Sequence, residues 1–156
     1  MVGTIEHIHV ADAEGGTPRP VQEAEALAGL GLAGDRLVNA AGDGGTVPAH
    51  KQLTLIEAEA IEAAARDHDL SIPLGADRRN IMVRGVALNH LVGQTFRVGG
   101  AVVRGKELCE PCAYLERTTG IKGIVKSLIH RGGLRCEVVS GGTVRVGESI
   151  GERVDG

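Results

Sequence analysis

A mainly β fold, a closed or nearly closed β-barrel with helical insertions, is the architecture this 156-residue sequence predicts. Three observations carry that expectation. Short runs rich in Val, Ile and Leu recur at roughly ten-residue spacing, which suits many short strands. Glycine is plentiful, 24 residues spread along the chain without a collagen-like period, as tight turns between strands require. One segment alone, about 57–68, has the apolar periodicity of a longer helix.

Residues 2–10, rich in Val, Ile and His, read as a first strand, and EGGTPRP (14–20) as a turn. VQEAEALAGLGLAGDR (21–36) opens as a second strand and ends in a segment punctuated by Gly29, Gly31 and Gly34. The glycine-rich NAAGDGGTVPAH (39–50) predicts a mobile loop, and KQLTLI (51–56) a strand. In the helix that follows, Ala60, Ile61, Ala64 and Ala65 continue Ile56 as one apolar stripe, with Thr54 as candidate N-cap. Its other face carries Glu57, Glu59, Glu62, Arg66 and Asp67, the pattern of a solvated face and not of a carboxylate site. NIMVRG (80–85) predicts a strand and LNHLVG (88–93) a short helical turn; TFRVGG and AVVRGKE predict two strands about a Gly-Gly turn. CAYLERTTG (112–120) and IKGIVKSLIH (121–130) read as short helices. LRCEVVS, a turn at Gly141-Gly142, and TVRVGESI predict a C-terminal β-hairpin. Neither a repeat nor a long linker divides the chain, so residues 1–156 are expected to form one domain.

Composition excludes several functions. Aromatics amount to 1%, Phe96 and Tyr114 with no Trp, so the core must be aliphatic and a base-stacking surface lacks its parts. A formal charge of −3 and a pI near 6.1 give no global attraction to nucleic acid or an anionic membrane. No apolar run approaches the ~20 residues of a membrane span. The N-terminus has no charged leader, and three cysteines make no disulfide framework, so a cytoplasmic protein with free thiols is expected.

Chemistry concentrates in KELCEPCAYLE (106–116). A structural zinc site would need four ligands, yet Cys136 stands alone and the histidines lack metal-ligand spacing. A thioredoxin-type pair would follow an early βαβ unit, and no such pattern precedes these cysteines. A single reactive thiolate fits better. Pro111 ends the strand, having no N–H for the ladder, and Cys112 then stands at the start of a helix, where partial positive charge favours thiolate. Cys109 and Cys136 read as small buried residues. Basic residues beside glycine recur at Gly34-Asp35-Arg36, His50-Lys51, Asp77-Arg78-Arg79-Asn80 and Arg131-Gly132-Gly133. In Arg78-Arg79 either both side chains are surface partners of carboxylates, or one faces the barrel mouth and grips an anion. GLGLAGD has neither phosphate-loop spacing. His7 and His9 share a strand face but have no placeable metal partners, and His68, His90 and His130 read as structural.

The ordered set GLGLAGDR, KQLTLIEAEAIE, RRNIMVRGVALNHLVGQTFRVGGAVV, CEPCAYLE and RGGLRCEVVSGGTVRVGESI resembles the MOSC domain, named after the C-terminal part of molybdenum cofactor sulfurase. The resemblance spans about Gly3 to Ile150. It implies a β-barrel like that of a small domain of pyruvate kinase, and molybdenum-cofactor (molybdopterin) binding. It also implies that the Pro-Cys cysteine, here Cys112, is sulfur carrier or molybdenum ligand. Arg36, Arg79 and Asn80 would hold the pterin phosphate or shape the pocket, with Lys51 and Arg131 as further basic contacts. The chain is similar to stand-alone members, lacking the N-terminal barrel, pyridoxal-phosphate desulfurase domain and ferredoxin module of larger relatives. A cysteine desulfurase or a reductase is therefore expected as a partner on another chain. Two other classes remain open: a non-catalytic barrel that binds or shuttles an anionic cofactor or metabolite, and a thiol–disulfide or zinc protein using Cys109 and Cys112.

Overall fold

The computed structural model describes residues 2–155. Its strands are β1 (Gly3–Val10), β2 (Arg19–Val21), β3 (Glu23–Leu27), β4 (Gly31–Leu32), β5 (Leu53–Glu57) and β6 (Ile81–Arg84). They continue with β7 (Thr95–Val98), β8 (Ala101–Leu108), β9 (Leu134–Ser140), β10 (Gly142–Arg145) and β11 (Ser149–Arg153). Four helices interrupt them: α1 (Arg36–Ala41), α2 (Ala58–His68), α3 (Ala113–Thr119) and α4 (Ile124–Ser127). Single 3-10 turns occupy Ala49–Lys51 and Leu88–Leu91.

Seven strands close into a barrel in the order β1-β6-β5-β9-β8-β7-β11, and β11 returns to β1 through Gly3↔Ile150 and Thr4↔Ser149. Closure removes the free edges that an open sheet would leave. β2 extends β1 outside the ring, and β10, β3 and β4 form a separate three-stranded sheet. Ring pairings are antiparallel except β5–β6, which run parallel because α2 carries the chain back between them. The expected barrel is therefore present, with the longer helix in its expected place.

Alternation along the strands fills the barrel with aliphatic side chains. Leu53 and Leu55 of β5, Ile81 and Val83 of β6, and Leu134 and Cys136 of β9 point into one core. Phe96, the only phenylalanine, is completely buried among them. A second cluster joins Ala64 of α2 to Leu115 of α3 and to Ile124 and Leu128 around α4. No helix of the described residues is long and apolar enough to cross a membrane.

Four local expectations need correction. The predicted loop at 39–50 is helical at both ends, because α1 runs without Gly or Pro until Gly42, at φ 67°, terminates it. Thr54 does not cap α2: it lies within β5, and Glu57 takes the N-cap position without a side-chain cap bond. A βαβ unit does precede the cysteine pair, namely β5–α2–β6. Finally, the last strands make no local hairpin. β10 pairs with β3, while β11 pairs with β7 and β1. At Gly142 a Cβ would lie 2.1 Å from the Gly100 carbonyl oxygen, so the second glycine serves close passage over the β7–β8 turn.

A basic cleft at the barrel mouth with an exposed cysteine

At one end of the barrel, segments distant in sequence enclose a cleft of about 400 Å³, within the range of small-molecule sites. Its walls come from the end of β1, the start of α1, β5, the segment before β6, the β8–α3 connection and β9. Two hydrogen-bond networks set its shape.

Asn80 is the centre of the first. Its Oδ1 accepts from the Thr54 backbone N–H at 3.1 Å and the Thr54 hydroxyl at 3.2 Å. Its Nδ2 donates to Asp35 Oδ2 at 3.0 Å and to the His9 carbonyl at 3.3 Å. Asp35 Oδ1 accepts from the Ala11 N–H at 2.9 Å. One amide thus ties β1, β5 and the entry to α1 together, which is why an Asn follows the two arginines.

The second network spends the Arg79 guanidinium on main-chain carbonyls. Nε donates to Gly132 O at 2.7 Å, Nη2 to Cys109 O at 3.1 Å and Nη1 to Asp77 O at 3.3 Å. Asp77 is buried, and its Oδ1 accepts from the Arg79 N–H at 2.8 Å. Burial raises the Asp77 carboxyl above its usual range, opposed by that N–H and by the Arg79 charge. The glycines beneath are required by proximity. A Cβ on Gly132 would stand 2.4 Å from Cys109 O, and one on Gly133, at φ +116°, would stand 2.1 Å from Leu55 O.

Other cations at the mouth are less engaged. Arg36 and Lys51 are exposed, line the cleft and have no side-chain hydrogen bond or ion pair among the described residues. Arg135, on β9, has Glu107 as its ion-pair partner at 3.8 Å. Arg78, in the left-handed region at φ 61°, donates to Gly16 O at 2.9 Å and lies 6.0 Å from the Tyr114 ring centroid. Against these four cations and Arg79 the cleft sets the carboxylates of Glu14, Asp35 and Glu110, so its balance is positive.

The two cysteines of the motif part company. Cys112 is exposed, lines the cleft and takes the N-cap position of α3 in extended backbone, φ −133° and ψ 172°. Cys109 is 2% exposed, with its N–H donating to Gly133 O at 2.7 Å. Cys136 is fully buried in the core, which pushes its thiol well up. Glu110, between the pair, clasps His130 through both the backbone N–H and Nδ1, each at 2.7 Å. That clasp pins the loop bearing Cys112 to the end of the α4 segment. Among the described residues no three His, Cys, Asp or Glu side chains gather as a metal site, which leaves a zinc reading without ligands.

Of the residues singled out from sequence, Arg36, Lys51, Arg79, Asn80 and Cys112 meet at this cleft. Arg79 and Asn80 face it with most of their hydrogen-bonding capacity already used. Arg131 is a correction: it does not line the cleft. Its Nε donates to Ser127 O at 2.7 Å and its Nη1 meets Asp67 Oδ2 at 3.3 Å, joining α4 to α2. Sequence reasoning missed His9, Thr54, Arg135 and Tyr114 as cleft residues. Arg135 had a readable signal, since it alternates with the inward Leu134 and Cys136.

The fold and cleft together define a closed β-barrel carrying a basic mouth and one exposed thiol. The chain belongs to the MOSC domain family, whose model matches residues 9–151. Solved structures share its architecture. The YuaD protein from Bacillus subtilis superimposes with a TM-score of 0.75 at 19% identity, over 96% of this chain and 94% of that one. YiiM from Escherichia coli gives 0.73 at 20% identity, over 100% of this chain and 71% of its own. YiiM from Geobacillus stearothermophilus gives 0.71 at 17% identity, over 98% and 75%. At these identities the likeness is one of fold. No curated protein sequence matches the chain.

Proposed function

We propose that this protein binds molybdenum cofactor at the barrel mouth and uses Cys112 as a sulfur carrier or as a ligand to molybdenum. The observation that carries the reading is the exposed Cys112 thiol on the wall of a cleft also lined by Arg36 and Lys51, two cations without side-chain partners among the described residues. The donor chemistry fits the group. A soft thiolate suits molybdenum or sulfane sulfur, and exposed cations suit a pterin phosphate. Arg79, Asn80 and Asp35 hold the walls in place and are positioning residues.

Bound cofactor would supply the metal-centred redox or sulfur-accepting chemistry, with the protein supplying binding and orientation. As sulfur carrier, the Cys112 thiolate attacks the outer sulfur of a persulfide on a partner cysteine desulfurase. The S–S bond there breaks, a new one forms on Cys112, and the partner cysteine leaves as thiolate, with no net oxidation. As molybdenum ligand, Cys112 would instead anchor a centre that a partner reductase supplies with electrons. Either role needs a donor of sulfur or of electrons, and suits the cytoplasm, where the thiol stays reduced.

The test is expression in cells that make the cofactor, followed by measurement of molybdenum, pterin and persulfide sulfur on purified protein. The wild type should carry pterin with either molybdenum or sulfane sulfur, and Cys112→Ser should lose the sulfur or metal component. A wild type without pterin, metal or sulfane sulfur overturns the reading. Pterin retained equally by wild type and Cys112→Ser, with no persulfide on either, would make the protein a non-catalytic binding barrel.

A further inference from the structure

His9 is a buried polar side chain of the cleft without a protein partner among the described residues. It sits near the end of β1 and is 6% exposed, yet among the described residues no group hydrogen-bonds either ring nitrogen. No fully enclosed side-chain nitrogen or oxygen of the described residues lacks a partner. The two ring nitrogens must therefore retain some access, and the surface that His9 lines is the cleft. Gly75, at φ +87°, makes room for the ring: a Cβ there would come within 3.2 Å of Nε2. An imidazole that is largely buried, with ring nitrogens that have no protein partner and keep access, is a hydrogen-bonding group available to a ligand in the cleft.

We propose that His9 is a ligand-contacting residue at the floor of the cleft, where an oxyanion group docks against its ring and docking takes up one proton onto the imidazole. The proposal deepens the reading of this cleft as an anion site and adds the residue that senses the anion. Charged groups surround the ring. Asp77 raises its proton affinity and His7, with its ring centroid 6.4 Å away, lowers it, while burial is the larger effect and holds His9 below the usual histidine range. Across the cleft stand Glu14, Asp35, Arg36, Arg78 and Arg79. With Asp35 hydrogen-bonded to Asn80 and Arg79 to carbonyls, an incoming oxyanion is the new charge that can stabilise the imidazolium. Burial thus disfavours the charged ring in the free protein. A bound anion would raise its proton affinity, so anion affinity rises as pH falls through the range in which the ring titrates.

Sulfate is the probe, because it does not titrate between about pH 5 and 8, the range in which histidine responds. Its affinity is measured by calorimetry on the whole chain, and the His9 ring resonances are followed by NMR with and without it. The expected result is an affinity that rises several-fold from pH 8 to pH 5.5, with about tenfold as the ceiling that a one-unit rise in the His9 pKa sets. His9→Asn should bind more weakly with a flat pH profile, whereas His7→Gln keeps the slope. Arg36→Ala should weaken binding at every pH and keep the slope as well. Unchanged affinity across pH in the wild type, or a His9 titration that sulfate does not move, overturns the proposal even if His9→Asn fails to fold. Sulfate coupling at His9 in a protein that never retains pterin, molybdenum or sulfane sulfur would sink the cofactor reading and leave this one standing.

Discussion

Cys109 and Cys112 are three residues apart and chemically unalike: β8 ends at Leu108, before both, but Cys109 is buried with its N–H on Gly133 O, whereas Cys112 stands exposed at the start of α3. The difference is measurable. An aromatic disulfide reagent should modify one thiol of the native protein quickly, and Cys112→Ser should abolish that fast phase. All three cysteines should react after denaturation, since Cys109 and Cys136 are 2% and 0% exposed. Fast modification of two thiols in the native state would refute the division and revive a paired-cysteine chemistry. Part of this was legible in the sequence: Pro111 and the helix after it singled out Cys112 as the exposed thiol, although the strand ends earlier than expected, at Leu108, before both cysteines. The basic residues were less legible. Arg36, Arg79 and Arg131 look equivalent in a string of letters, yet one is unengaged, one holds three carbonyls and one bridges two helices.

At the scale of elements, Arg79 and the Arg131-Gly132-Gly133 corner form one joint. The β9 strand enters so close to β5 and to the Cys109 segment that only glycine fits, and the Arg79 guanidinium closes the remaining gap by hydrogen-bonding two of the carbonyls. Gly133→Ala should therefore cost about 3 kcal/mol or more, from left-handed backbone strain together with a backbone clash. A denaturant midpoint within experimental error of wild type would contradict that geometry. By contrast Gly42, with open space around its Cβ position, should tolerate alanine better despite its positive φ. The amphipathic stripe of α2 was readable because its period is local. The pairing of β10 with β3 was not, because a strand's partner depends on the course of the whole chain, and Gly141-Gly142 looks like any tight turn.

For the whole molecule, barrel closure is the decisive interaction, and it joins the two ends of the sequence. β11 lies between β7 and β1, with Ile150 buried in the common core. Removing residues 149–156 should open the ring, expose two strand edges and abolish the cooperative unfolding transition. Retention of a single sharp transition at unchanged denaturant midpoint would mean that β11 is dispensable. By itself the sequence determined the β-rich class, the aliphatic core, the one longer helix, the family and which of the three cysteines is exposed, because these depend on composition, local periodicity and short ordered motifs. Tertiary structure alone decided that the barrel closes through β1 and β11, that Arg131 belongs to a helix contact, and that His9 is among the residues lining the cleft. Those facts depend on which distant segments meet, and hydrogen-bond partners and burial exist only once they have met.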